Sequence, residues 1–244
     1  MRAALQEAID QVAANAPGAA AGTDPETLHQ LRVGTRRLRA ALRASRGLWR
    51  KEDVRALRWQ LRELAAVSGP ARDWDVFLRN APDALRVRAR DRQRRAQAAL
   101  RRLLLAMQPP KLPRMARGAR QDWPTFAREA LGKLDRRAQR RAARIDWGNA
   151  FERHALRIRL RRLRYVSEFT SGAFPGRRAK ALIRSLKRLQ DLLGELNDLD
   201  VARRLTRKLS GHEVRPRKRE RKLLSQLPGA WRQFVAAPRF WRGL

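Results

Sequence analysis

Two stretches of the chain carry histidine and arginine at a helical period: His29, Arg32, Arg36, Arg39 and Arg43, and then His154, Arg157, Arg161 and Arg164. At about 100° per residue, each set falls within an arc of roughly 80° that ends at its histidine. Leu28, Leu31, Thr35, Leu38, Leu42 and Trp49 fill the arc beside the first row; Leu156, Leu160, Leu163 and Phe174 do so beside the second. These apolar arcs predict the core stripe. Guanidinium groups stay charged when half-buried and grip phosphate oxygens in pairs. Like charges stacked this way repel by about 0.2–0.5 kcal/mol per pair on an exposed helix, and a bound anion relieves the repulsion. A row bordering the core stripe suits the wall of a groove or pore, so the chemistry expected is phosphate binding. Arg55 with Arg62, and Lys180 with Lys187, are seven residues apart and are expected to line the same groove. Arg37 and Arg162 lie off the arcs and should face solvent or pair with acids.

Other chemistry finds less support. His29 and His154 could meet Asp73, Asp75, Asp198 or Asp200 around a metal, but the flanking arginines disfavour a cation and His-x-x-Arg is not a ligand spacing. They are read as donors to phosphate, with charge that rises below pH about 6.5. The two Asp-x-Asp sequences are expected to cap helices starting at glycine turns and to anchor arginines. His212 reads as surface. Tyr165 could pack or donate to phosphate, and the tryptophans should serve core and hinge packing. No phosphate-cradling glycine loop, His-Glu-x-x-His or carboxylate pair outside the repeated turns is visible. No catalytic residue, metal site or cofactor is expected. A binding protein fits better than an enzyme.

The elements that position these rows are helical throughout. Ala, Leu, Arg, Glu and Gln dominate, and no run alternates like a strand. Thr23-Asp24-Pro25-Glu26 and Asn149-Ala150-Phe151-Glu152 read as helix starts. Breaks are expected at 16–21, 68–71, 108–113, 122–124, 146–149, 172–176, 194–195, 211–216 and 228–229. An internal repeat organises them. With the offset 154 − 29 = 125, His29 through Arg39 aligns with His154 through Arg164 without a gap. Gly47 and Gly172, Arg55 and Lys180, Leu61 and Leu186, Arg62 and Lys187, Gly69 and Gly194, Asp73 and Asp198, and Asp75 and Asp200 follow at the same offset. The reading is all-α, with two pseudo-symmetric repeats: 1–112, a linker at 113–121, and 122–244.

The 244 residues hold 58 Lys and Arg against 23 Asp and Glu, a net charge of +35. Fifty of the basic residues are arginine and eight are lysine. So large an excess concentrates anions and points to a polyanionic partner: nucleic acid, an anionic surface or an inorganic polyanion. At 43% hydrophobic the chain can still build a core. The lack of cysteine excludes disulfides and thiolate chemistry. The first residues lack the apolar run of a signal peptide and no stretch suits a membrane span, so a soluble, non-membrane protein is expected.

LHQLRVGTRRLRAAL and HALRIRLRRLRYVSEF, followed by GPARDWDV and LQDLLGELNDLDV, resemble the motifs of the conserved histidine α-helical domain, or CHAD. The resemblance covers nearly the whole chain, as a single domain of two repeats. It implies two four-helix repeats around a basic central groove or pore that binds inorganic polyphosphate. Its site residues here would be His29, Arg32, Arg36, Arg39, Arg43, Arg55, Arg62, His154, Arg157, Arg161, Arg164, Lys180 and Lys187. Some family members carry a triphosphatase domain; none is expected within this sequence, which the repeats take up. The expected setting is the cytoplasm, at polyphosphate granules. Two departures stand out: Gly34 should loosen the first motif helix, and the basic excess is large even for a polyphosphate binder. The competing readings are a nonspecific nucleic-acid-binding protein, and an accessory subunit that presents polyphosphate to a separate phosphatase or kinase. The partner of the basic segment 215–222 is left open.

Overall fold

The computed structural model describes residues 2–118, 122–174, 176–212 and 218–242. Within them run eight α-helices: α1 Arg2–Ala21, α2 Pro25–Ala44, α3 Lys51–Leu78, α4 Asp83–Ala106, α5 Trp123–Ala142, α6 Ala150–Thr170, α7 Gly176–Ser210 and α8 Lys218–Ala236. Among the described residues there is no strand, only an isolated bridge between Trp49 and Met115. No described helix is long and apolar enough to cross a membrane.

The chain divides into two compact units, Met1–Arg120 with Leu205–His212, and Gln121–Arg204 with Glu213–Leu244. In the first, all four helices feed one core: Val12 and Ala19 from α1, Leu28 and Leu31 from α2, Leu64 and Ala71 from α3, and Leu100 from α4. In the second, α6 buries Leu156, Leu160 and Leu163, α7 buries Leu182, Leu186, Leu189, Leu193 and Leu196, and α8 buries Leu223, Leu227 and Phe234. Alternating steps of three and four along α7 keep these leucines on one stripe. Both apolar arcs expected from the sequence are therefore core.

The helix starts obey capping chemistry. Asp24 caps α2, its side chain accepting from the Glu26 N–H at 2.8 Å, with Pro25 in the first turn. Asn149 caps α6 by accepting from the N–H groups of Phe151 and Glu152. Asp122 caps α5 through Thr125. These contacts satisfy donors that have no partner inside the helix.

Several expected breaks are absent. α3 runs through Ser68–Ala71 and holds Pro70, α7 runs through Gly194, α1 holds Pro17 and α8 holds Pro228. A proline inside a helix removes one donor, but the carbonyls so orphaned at Ala13 and Ala66 belong to exposed residues, where water can donate instead. Buried Leu64, Ala71 and Trp74 on either side of Pro70 hold α3 as one rod, so packing outweighs local propensity. The Asp-x-Asp sequences thus sit inside helices and are not caps.

Gly34 does not loosen α2. A Cβ there would stand 3.0 Å from Val12 Cγ2 and 3.3 Å from the Ala8 carbonyl, so this glycine lets α1 approach α2. A buried ion pair closes the second unit's C-terminus. Arg239 donates to both carboxylate oxygens of fully buried Asp135, at 3.1 and 3.3 Å, and stacks over Phe234. Phe240 and Trp241 are buried behind it.

Candidate functional site

In the first unit the row on α2 lies against α3. Arg32 Nη1 donates to Ser68 Oγ at 3.1 Å, and a Cβ at Gly69 would lie 3.6 Å from the same nitrogen. Arg72 on α3 donates to the Pro25 carbonyl at 3.2 Å and is the strongest charge acting on His29. Burial first, then Arg72, and then Arg36 and Arg32 hold the imidazole below its ordinary pKa, with Glu26 opposing. His29 is therefore neutral at pH 7 in the free protein, and gaining charge requires a lower pH than the sequence alone suggested.

Further along the row, burial and the charges of Arg62 and Arg58 lower the Arg39 pKa. Arg43 is lowered by burial and by Arg39, Arg58 and Arg46. The charges that shift these two guanidiniums are all positive. Both groups stay protonated, since arginine starts so high, but the direction records a self-repelling cluster. Arg36 is half-buried, with its Nε buried and without a hydrogen-bond partner.

In the second unit the corresponding row on α6 lies against α7. His154 Nδ1 is 2.9 Å from Asn197 Oδ1. A Cβ at Gly194 would lie 3.9 Å from Arg157 Nη2. Gly69 and Gly194 thus lie under the matching arginines of the two motifs, which gives these glycines a use that a turn would not. Arg164 Nε donates to Gln190 Oε1 at 3.0 Å, Nη1 pairs with Glu168 at 3.1 Å, and the guanidinium lies 4.9 Å from the centroid of the Tyr165 ring. Arg161 is half-buried between them. Tyr165 is itself buried and stacks on Phe169, so it packs.

The two rows differ in charge compensation. At the 125-residue offset Glu168 stands for Arg43, Asn197 for Arg72, and Ile183 for Arg58. The α6 row is partly neutralised by hydrogen-bonding neighbours, whereas the α2 row is surrounded by further cations.

The charge of Arg62 acts on Arg39. Arg55 instead lines a cavity of about 990 Å³ between α3 and the segment 108–114, beside Trp59, which is 63% exposed and so departs from the packing role expected of it. Lys180 and Lys187 are exposed on α7, with Lys187 on a shallow groove shared with Arg184, Arg188 and Asp191. Arg37 pairs with Glu7 at 2.8 Å. Among the aspartates, Asp200 anchors arginines, accepting from buried Arg153 and from Arg203 at 2.8 Å each; Asp75 accepts from Gln93. His212 is exposed, and residues 215–217 of the basic segment lie outside the described residues. Arg58, Arg46, Arg72, Asn197 and Gln190 escaped the sequence reading. Arg58 was legible as basic one turn before Arg62, but its counterpart Ile183 hid it from a search for repeated charge. Among the described residues, no group of three or more His, Asp or Glu is placed to hold a metal ion.

An all-helical fold carrying two His-Arg rows defines the class. The chain matches the CHAD domain over residues 3–207 and belongs to that family. It is similar to the crystal structure of the CHAD domain from the plant Ricinus communis, at 28% identity and a TM-score of 0.75, covering 98% of this chain and 92% of that one. PptA from Streptomyces chartreusis shares the fold at a TM-score of 0.55 and 15% identity, with 97% and 96% covered. Two Mycobacterium tuberculosis relatives, the uncharacterized proteins MT2285 and Rv2226 of two strains, are 28% identical over 208 residues. The match takes in 73% of this chain and spans 39% of the length of those relatives.

Proposed function

We propose that this protein binds inorganic polyphosphate, without hydrolysing it, through the His-Arg rows of both units. The observation that carries the reading is the cluster of Arg39, Arg43, Arg58 and Arg62, in which burial and the charges of their neighbours destabilise the guanidiniums of Arg39 and Arg43. A closely spaced line of phosphates supplies the missing negative charge at the spacing of the row and releases its own counterions. Arg157 and Arg164 contribute a second, better-compensated grip. On this reading the protein works where polyphosphate accumulates, in cytoplasmic granules.

The test is equilibrium binding of long-chain polyphosphate at several salt concentrations. Arg39→Gln with Arg164→Gln should weaken binding at every salt concentration and flatten the logarithmic salt slope by roughly 1.4, about 0.7 for each lost contact. Arg92→Gln, on an exposed position of α4, should do neither. Equal losses from Arg92→Gln would mean that bulk charge binds the polymer. Displacement of polyphosphate by duplex DNA or tRNA at equal phosphate concentration would favour a nucleic-acid partner instead.

A further inference from the structure

A second basic feature lies on the other side of α6 from its row. Between α5 and α6 is a cleft of about 640 Å³ into which Arg137, Arg140 and Arg141 project from α5 and Arg159 and Arg162 from α6. Its apolar floor is Leu134, Ala155 and Ile158. Phe151 stands at its side, 79% exposed, and His154 marks the divide between cleft and row. Among the described residues that line it there is no acid. Glu152, outside the lining, lies 3.7 Å from Arg141 and accepts from the Asp146 N–H. The Arg141 Nε is buried without a hydrogen-bond partner, and Arg159 Nη1 donates to the Ala155 carbonyl.

The first unit shows what this seam looks like when it is merely structural. On α2 the positions matching Phe151, Ala155 and Arg159 are Glu26, Gln30 and Gly34. There Gly34 lets α1 close onto α2, Gln11 donates to Gln30, Gln30 donates to Glu26, and Arg37, the match of Arg162, pairs with Glu7. That seam is shut and its charges are paired. In the second unit Arg159 stands in place of the glycine and Phe151 in place of the glutamate. The substitutions hold the seam open, make it cationic and add an exposed aromatic ring.

We propose that the α5/α6 cleft is a binding site for a nucleoside diphosphate or triphosphate, separate from the polyphosphate rows. Converging guanidiniums recognise the phosphates by paired hydrogen bonds. The apolar floor and the open face of Phe151 accept a base by stacking, which inorganic phosphate cannot exploit. The volume lies within the usual range for small-molecule sites, roughly 300–1,000 Å³.

Calorimetric titration of the full chain with ADP and with pyrophosphate, both without divalent cation and at physiological salt, tests this. Saturable ADP binding at one site per chain is expected, tighter than pyrophosphate by roughly tenfold. Arg140→Gln with Arg159→Gln should cut ADP affinity at least tenfold, since a lost charge-assisted bond weakens binding by about that factor. Phe151→Ala, at an exposed position that leaves the core intact, should reduce ADP affinity severalfold and leave pyrophosphate unchanged. Arg39→Gln should leave ADP binding as it is. The proposal is overturned by absence of saturable ADP binding, by equal affinities for ADP and pyrophosphate, by insensitivity to Phe151→Ala, or by loss on Arg39→Gln.

Discussion

Replacing Arg58 by glutamine should stabilise the free protein while weakening its hold on polyphosphate. Arg58 is exposed on α3 and acts on two guanidiniums of the neighbouring row, Arg39 and Arg43. Each like-charge pair at a helix surface costs about 0.2–0.5 kcal/mol, so relieving two gains about 0.4–1 kcal/mol. Glutamine matches arginine in helix propensity, and no buried contact is lost. For a chain of this size that corresponds to a rise in melting temperature of roughly 1–4 °C at low salt. Thermal unfolding followed by circular dichroism reads the change. The gain should shrink as salt screens the repulsion, and Arg58→Lys, which keeps the charge, should show none of it. With saturating polyphosphate the order should invert, because wild type then gains more from ligand binding. A melting point that falls or stays put in Arg58→Gln, or rises equally in Arg58→Lys, would refute the picture of a self-repelling row.

Gly34→Ala should lower stability by about 1–2 kcal/mol in chemical denaturation: overpacking against Val12 and the Ala8 carbonyl costs about 1–3 kcal/mol, and alanine's helix propensity returns up to about 1. Asp135→Ala strands the buried Arg239 guanidinium and should cost about 3–5 kcal/mol, seen as a lower denaturation midpoint and faster proteolysis after Ala237. His29 makes stability fall with acid: its folded pKa is depressed, so the unfolded chain takes up its proton first, near pH 6.5, and stability drops below that pH. A bound phosphate raises the same pKa, so polyphosphate affinity should climb as pH falls below neutral, more steeply in wild type than in His29→Gln.

What the sequence made legible follows from helical period. His29 to Arg43 and His154 to Arg164 fall beside buried leucines in the structure because a period of 3.6 decides both which residues enter the core and which border it. Fold class was legible for the same reason. The breaks at Ser68–Ala71 and Gly194 were misplaced because glycine and proline report local preference, whereas α3 and α7 are held by buried apolar side chains on both sides. The same error hid the purpose of Gly69 and Gly194, which make room for an arginine head. The inequality of the two rows was present in the sequence as Glu168 opposite Arg43 and Asn197 opposite Arg72, but reading the halves as copies favoured what repeats over what differs. Gly34 and Arg159 are the sharpest case. Their difference acquires meaning only when α1 and α5 are seen to pack beside them, a tertiary fact that no local pattern encodes.

The most direct measurement is a structure of the protein with a short inorganic polyphosphate bound. Phosphates are expected within hydrogen-bonding distance of Arg39 and Arg62 on the first unit and of Arg157 or Arg164 on the second. Phosphates seated only on the outer arginines of α4 or α8, with both rows empty, would contradict it.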